Sequence, residues 1–172
     1  MEKMPVVQKK VCLLGDFAVG KTSLVRRYVE GKFDDKYLST IGVKISRKVL
    51  DRGGYTLNLL IWDLAGGEDF EEVSQRYLLG AVGALIVCDL TRAETLTYME
   101  GYAEQLRASD ASAAIVLAGN KVDLAEELVI GRDMLETLGR ATGSPWLLTS
   151  AKTGEHVEEA FRLLAEQIEA SA

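Results

Sequence analysis

Gly15-Asp16-Phe17-Ala18-Val19-Gly20-Lys21-Thr22 decides how the rest of this chain is read. It fits G-x-x-x-x-G-K-[ST] and stands between a short apolar run, Val11 to Leu14, and a segment from Thr22 to Glu30 with helical spacing through Leu24, Val25 and Tyr28. Glycines let successive backbone N–H groups turn inward around phosphate oxygens, and the N-terminus of the following helix adds partial positive charge. Lys21 is then placed to meet the β- and γ-phosphates of a nucleotide, and the Thr22 hydroxyl to ligate Mg2+. Glycine turns before helices also arise by chance, so the strand–loop–helix context gives the match its weight.

Outward from this loop, strand-like and helix-like segments alternate. Val43 to Leu50 and Tyr55 to Trp62 flank Asp51-Arg52-Gly53-Gly54, which reads as a hairpin. Ala84 to Asp89 and Ala114 to Gly119 are continuous apolar runs that suit a sheet covered on both faces. Helical spacing marks Thr91 to Arg107, Asp133 to Thr142 and Gly154 to Ala170, and a last strand, Trp146 to Thr149, follows Pro145. The pattern implies an α/β fold with a mostly parallel sheet, one early hairpin and helices on both sides. Ligands of such sheets bind at the carboxyl ends of the strands.

Three further strand ends carry polar groups. Asp63, in Asp63-Leu64-Ala65-Gly66, can hold Mg2+, and the Gly66 N–H can approach a γ-phosphate; the alternative is a plain strand-end turn. In Asn120-Lys121-Val122-Asp123 the carboxylate of Asp123 matches the paired N1–H and N2–H donors of guanine, whereas adenine would leave it buried and unpaired. Asn120 can bridge the loops, and the stem of Lys121 can lie over the base or ribose. A solvated turn is the alternative. Thr149-Ser150-Ala151-Lys152 can bring backbone N–H groups to the guanine O6 and cover the base with Lys152. Each loop alone is weak; four in this order point to one ligand.

The chain has 172 residues, and 20 Lys plus Arg against 26 Asp plus Glu leave a net charge of −6, which argues against nucleic acid as a partner. The length predicts a single domain spanning 1–172. The longest apolar run, Ala81 to Cys88, is too short to cross a bilayer. Met1 to Pro5 has no signal-peptide core, Glu2 excludes myristoylation, and Ala170-Ser171-Ala172 offers no prenylatable cysteine. A cytoplasmic protein with no direct membrane anchor is the expectation, with removal of a C-terminal tail as the alternative. Cys12 and Cys88 lie in apolar runs and read as small hydrophobes. His156 has no nearby Cys or His to suggest a metal site, and Trp62 and Trp146 read as core or core-edge anchors. Glu155, Glu158, Glu159, Glu166 and Glu169 read as a solvated helix face.

At these motifs the sequence resembles the Ras superfamily of small GTPases from Lys9 to Ile168, and the Rab branch in particular. Ser39-Thr40-Ile41-Gly42-Val43, Trp62-Asp63-Leu64-Ala65-Gly66 and Gly80-Ala81-Val82-Gly83-Ala84-Leu85 carry the likeness. The resemblance implies the P-loop NTPase small G domain: a six-stranded, mostly parallel sheet with one antiparallel hairpin, and five helices on its two faces. It implies GTP and GDP as ligands, Mg2+ as cofactor, and effector and regulatory proteins that read two switch segments, Asp34 to Ile45 and Gly66 to Leu79. Gly15 to Ser23, with Ser23 beside Thr22, would hold the phosphates, Phe33 would lie at the guanine edge and Tyr37 over the phosphates. Thr40 would join Thr22 and Asp63 at Mg2+. Lys21, Thr40, Gly66 and Gly67 would surround the hydrolysed phosphate, and Asn120, Lys121, Asp123, Ser150, Ala151 and Lys152 the base. For Phe33 and Tyr37, loop-to-core packing is the alternative.

Three departures from the family bear on function. Gly67 stands where the family has the Gln that orients the attacking water, and is followed by Glu68 and Asp69. Phe17 and Ala18 replace the usual small residues or glycine, where bulk obstructs water positioning and an arginine finger, a group worth roughly 10³–10⁵ in rate. The last helix also lacks the cysteine-bearing tail of typical Rab proteins. The first two imply slow intrinsic hydrolysis with GTP binding retained. Glu68, a partner, or an internal arginine such as Arg47, Arg52 or Arg76 would be ways to recover rate. The competing readings are a GTP-binding scaffold with little or no turnover, and a nucleoside or nucleotide kinase, against which the Asn120-Lys121-x-Asp123 motif argues.

Overall fold

The computed structural model describes residues 4–30, 43–63 and 76–171. Strands β1 (Val6–Gly15), β2 (Lys44–Asp51), β3 (Thr56–Asp63), β4 (Ala81–Asp89), β5 (Ala114–Asn120) and β6 (Trp146–Thr149) form one sheet in the order β2-β3-β1-β4-β5-β6. Only β2 and β3 pair antiparallel. Five helices of a full turn or more occur among the described residues: α1 (Lys21–Glu30), α2 (Glu94–Thr97), α3 (Met99–Ser109), α4 (Arg132–Thr142) and α5 (Val157–Ala170). The α/β architecture read from the sequence is therefore the one observed.

The buried stretches of the central strands are apolar at consecutive positions because successive residues feed two different cores. Val11 and Leu13 pack with α1 and α5, while Cys12 and Leu14 pack with α3 and α4. In β5 the same parity sends Val116 and Ala118 one way, Ile115 and Leu117 the other. The helices supply matching stripes: Leu24, Val25 and Tyr28 from α1 meet Val157, Ala160, Phe161, Leu164 and Ile168 from α5. The rings of Tyr28 and Phe161 stack with centroids 4.2 Å apart. Cys12 and Cys88 are fully buried, and burial pushes each thiol up to about 12, so both remain protonated hydrophobes. Trp62 and Trp146 are partly buried against the α3/α4 core, as expected of core-edge anchors.

Several boundaries differ from the sequence reading. Strand β1 begins at Val6, not Val11, because its polar first half pairs in register with Thr56 to Leu60 of β3. The cationic side chain of Lys10 donates to the Leu79 carbonyl at 2.9 Å and lies over the Trp62 ring. The helix expected from Thr91 to Arg107 begins at Glu94 and is interrupted at Tyr98. The late start is due to Asp89, whose Oδ1 accepts from the Thr91 N–H at 2.9 Å and its hydroxyl at 2.7 Å, closing a turn before the helix starts. The last helix begins at Val157, not Gly154, since Gly154 and His156 both have left-handed backbone, φ 88° and 56°. His156 is exposed, with Nδ1 2.9 Å from the Leu148 carbonyl oxygen.

The hairpin turn is tied to the opposite end of the chain. Asp51 Oδ1 accepts from the Gly53 N–H at 2.9 Å, and Arg52 and Tyr55 both reach the Glu169 carboxylate, at 2.7 and 2.5 Å.

Candidate functional site

The chain reverses direction across the sheet at β1, whose neighbours β3 and β4 lie on opposite sides, and the loop after β1 opens at that point. Both motif glycines are demanded by contact. A Cβ on Gly15 would lie 2.5 Å from the Val87 carbonyl oxygen, and one on Gly20 2.3 Å from the Asn120 side-chain nitrogen. Between them Ala18 adopts φ 64° and Gly20 φ 102°, the kind of alternation that gathers backbone N–H groups into an anion-binding concavity.

Lys21 is only 6% exposed, and its ammonium donates to the Gly15 and Asp16 carbonyls at 2.8 and 3.2 Å. Burial lowers its pKa to about 8, against the raising influence of Asp63 and Asp16. Asp63, at the end of β3, accepts a 2.5 Å hydrogen bond from the Thr22 hydroxyl on Oδ2. Its Oδ1 is buried and has no hydrogen-bond partner among the described residues. Burial raises the Asp63 carboxyl, opposed by the Thr22 hydroxyl and by Lys21 and Lys44. A buried, unpartnered carboxylate oxygen beside a hydroxyl is a hard oxygen donor set, and it fits Mg2+.

The second cluster is built by the ends of β5 and β6. Asn120 is 2% exposed; its Nδ2 donates to the Val19 carbonyl at 2.9 Å and its Oδ1 accepts from the Thr149 hydroxyl at 3.0 Å. The Ser150 hydroxyl donates to Asp123 Oδ1 at 2.7 Å, holding one carboxylate oxygen in place. The Ser150 N–H is used on the Glu155 carbonyl at 3.0 Å, so within Thr149–Lys152 Ser150 acts through its hydroxyl on Asp123. Ala151 is buried and Lys152 exposed. Lys121, with φ 75°, donates from Nζ to the Ala18 carbonyl at 3.1 Å and pairs with Asp89 at 2.9 Å.

The structure thus brings Gly15 to Ser23, Asp63, Asn120 to Asp123 and Ser150 to Lys152 to one end of the sheet. Phe33, Tyr37, Thr40, Gly66 and Gly67 lie outside the described residues. Of the arginines singled out from the sequence, Arg52 sits at the hairpin turn paired with Glu169, while Arg47 and Arg76 are exposed. Among the described residues Arg92 reaches the phosphate loop: it donates to the Phe17 carbonyl at 2.6 Å and pairs through Nε with Asp89 at 3.0 Å. The sequence signal for it was only its position just past a strand end.

A Ras family model matches residues 10–170. The Ras-related protein RABD1 of Arabidopsis thaliana is 36% identical over 92% of this chain and 78% of its own length. The GTP-binding protein YPTM1 of Zea mays is 36% identical over 94% and 78%, and the Ras-related protein Rab-13 of Bos taurus 34% identical over 92% and 79%. Members of this family are GTPases that bind guanine nucleotide, generally with Mg2+, and act with regulators and effectors. No described helix is long and apolar enough to cross a membrane. With the fold, the loop order and these matches in agreement, the chain belongs to the Ras family and is a Rab-like small GTPase.

Proposed function

We propose that this chain is a guanine-nucleotide switch that binds tightly but hydrolyses GTP slowly on its own. In this reading Lys21 and the N–H groups of Gly15 to Ser23 hold the phosphates, Thr22 and Asp63 with Thr40 hold Mg2+, and Asp123, Asn120, Lys121 and Ala151 to Lys152 frame guanine. Phe33 and Tyr37 close over the nucleotide from the first switch segment, and partner proteins read both switch segments. Held by Thr22, Asp63 and Thr40, Mg2+ would supply positive charge against the negative charge of the phosphates. Lys21 contributes a buried ammonium of fixed position, and the carboxylate of Asp123, held by Ser150, rejects bases that lack two adjacent donors.

The observation that carries the slow rate is Gly67 at the place of the water-orienting glutamine. Lys21, Thr22, Asp63, Asn120 and Asp123 lie at one end of the sheet, which supports retained binding, whereas Gly67 has no side chain to orient a water. Phe17, about half exposed at 49% on the lip of the phosphate loop, adds bulk where an arginine from an activating protein would enter. Single-turnover GTP hydrolysis by the wild type and by Gly67→Gln tests the reading: the variant should be faster by at least about tenfold. Equal rates would remove Gly67 as the cause. If instead purified protein retains GTP without releasing phosphate over hours, the scaffold reading is the correct one.

A further inference from the structure

Three consecutive carbonyls of the phosphate loop are each gripped from outside. Arg92 donates to Phe17 O at 2.6 Å, Lys121 to Ala18 O at 3.1 Å and Asn120 to Val19 O at 2.9 Å. A trans peptide is planar, with its C=O and the next residue's N–H pointing in opposite directions. Holding these carbonyls outward therefore turns the N–H groups of Ala18, Val19 and Gly20 toward the inner side of the loop. Two of the three grips come from Asn120 and Lys121, which the sequence motif already singled out. The third does not.

We infer that Arg92 is a positioning residue for nucleotide binding: anchored by Asp89, it fixes the Phe17–Ala18 peptide and aims the Ala18 N–H at the nucleotide phosphates. The anchor is strong. The Asp89 side chain is only 2% exposed and receives Arg92 Nε at 3.0 Å, Lys121 at 2.9 Å and the Thr91 hydroxyl at 2.7 Å. Burial pulls the Asp89 carboxyl upward, but the hydrogen bonds from Thr91, Lys121 and Arg92 together outweigh it and hold it below the usual carboxylate range. The carboxylate thus stays charged, and it couples Arg92 and Lys121 into one brace spanning two neighbouring peptides. A planar guanidinium places Nε on Asp89 and a terminal nitrogen on Phe17 O at once; a lysine, with one nitrogen on a flexible stem, has no such fork.

The inference rests on the reading of this loop as the phosphate site, and the test separates the two. Arg92→Met keeps the aliphatic stem and removes every donor; Arg92→Ala and Arg92→Lys accompany it. GDP dissociation from the Mg2+-loaded protein should quicken about tenfold in Arg92→Met, as expected for loss of a charge-assisted hydrogen bond, with no rescue in Arg92→Lys. Competition binding with GDP and GMP supplies the second readout: GDP should weaken by a similar factor and GMP, which has no β-phosphate, should not. GDP dissociation within twofold of wild type, or equal weakening of GDP and GMP, overturns the role of Arg92. A wild type that fails to bind GDP at all would instead overturn the site itself.

Discussion

The phosphate half and the base half of this site are built on opposite plans. At the base end, the proposed function assigns recognition to side chains: Asp123 presents a carboxylate held by Ser150, and Asn120 is pinned by Thr149, all at strand ends of one sheet. At the phosphate end, the reading assigns recognition to backbone N–H groups, and the side chains around them work mostly from behind, on carbonyls. Asn120 belongs to both halves, with its oxygen on Thr149 and its nitrogen on Val19. The lesson is that side-chain recognition can be altered one residue at a time, whereas backbone recognition is distributed over every group that fixes the loop.

Breaking the comparison at the base end should give the largest effect. Asp123→Asn exchanges an acceptor for a donor, so preference should move from GTP toward xanthosine triphosphate by about 10⁴-fold, measured by competition for a fluorescent nucleotide. Unchanged guanine preference would remove Asp123 as the base reader. Thr149→Val sharpens the link between halves, since it leaves the buried Asn120 Oδ1 without its partner. It should lower stability by about 1–3 kcal/mol in denaturant titrations and weaken GDP as well as GMP, unlike any Arg92 variant. A loss confined to one nucleotide would mean that Asn120 does not couple the halves. The smallest effect belongs to Ala18→Gly. It relieves a left-handed Cβ and should raise thermal stability by about 0.5–1 kcal/mol, with the Lys121 grip on the carbonyl retained; a destabilised variant would show that Ala18 carries packing beyond its backbone.

The same contrast governs what could be read from the chain beforehand. The base loops announce themselves because the roles proposed for Asn120, Lys121 and Asp123 lie in their side chains, and the phosphate loop because Gly15 and Gly20 are positions where no side chain fits. Arg92 was invisible, since a residue that acts on a distant carbonyl leaves no local pattern. In the fold, Leu24, Val25 and Tyr28 and the turn Asp51 to Gly54 were legible from spacing and turn chemistry. The late start of α2 at Glu94 was not legible, because it follows from Asp89 capping its own turn and Thr95 bonding back to the Asp89 backbone. Nor was the late start of α5, where His156 takes a left-handed conformation without being glycine.

The two cysteines have a practical consequence. Both sit on central strands, Cys12 facing Ala84 in register and Cys88 facing Gly119, with sulfurs fully enclosed and protonated at ordinary pH. To a maleimide reagent the native molecule is blank, so a cysteine introduced on an exposed helix face would take a dye or spin label alone, with the native thiols left in place.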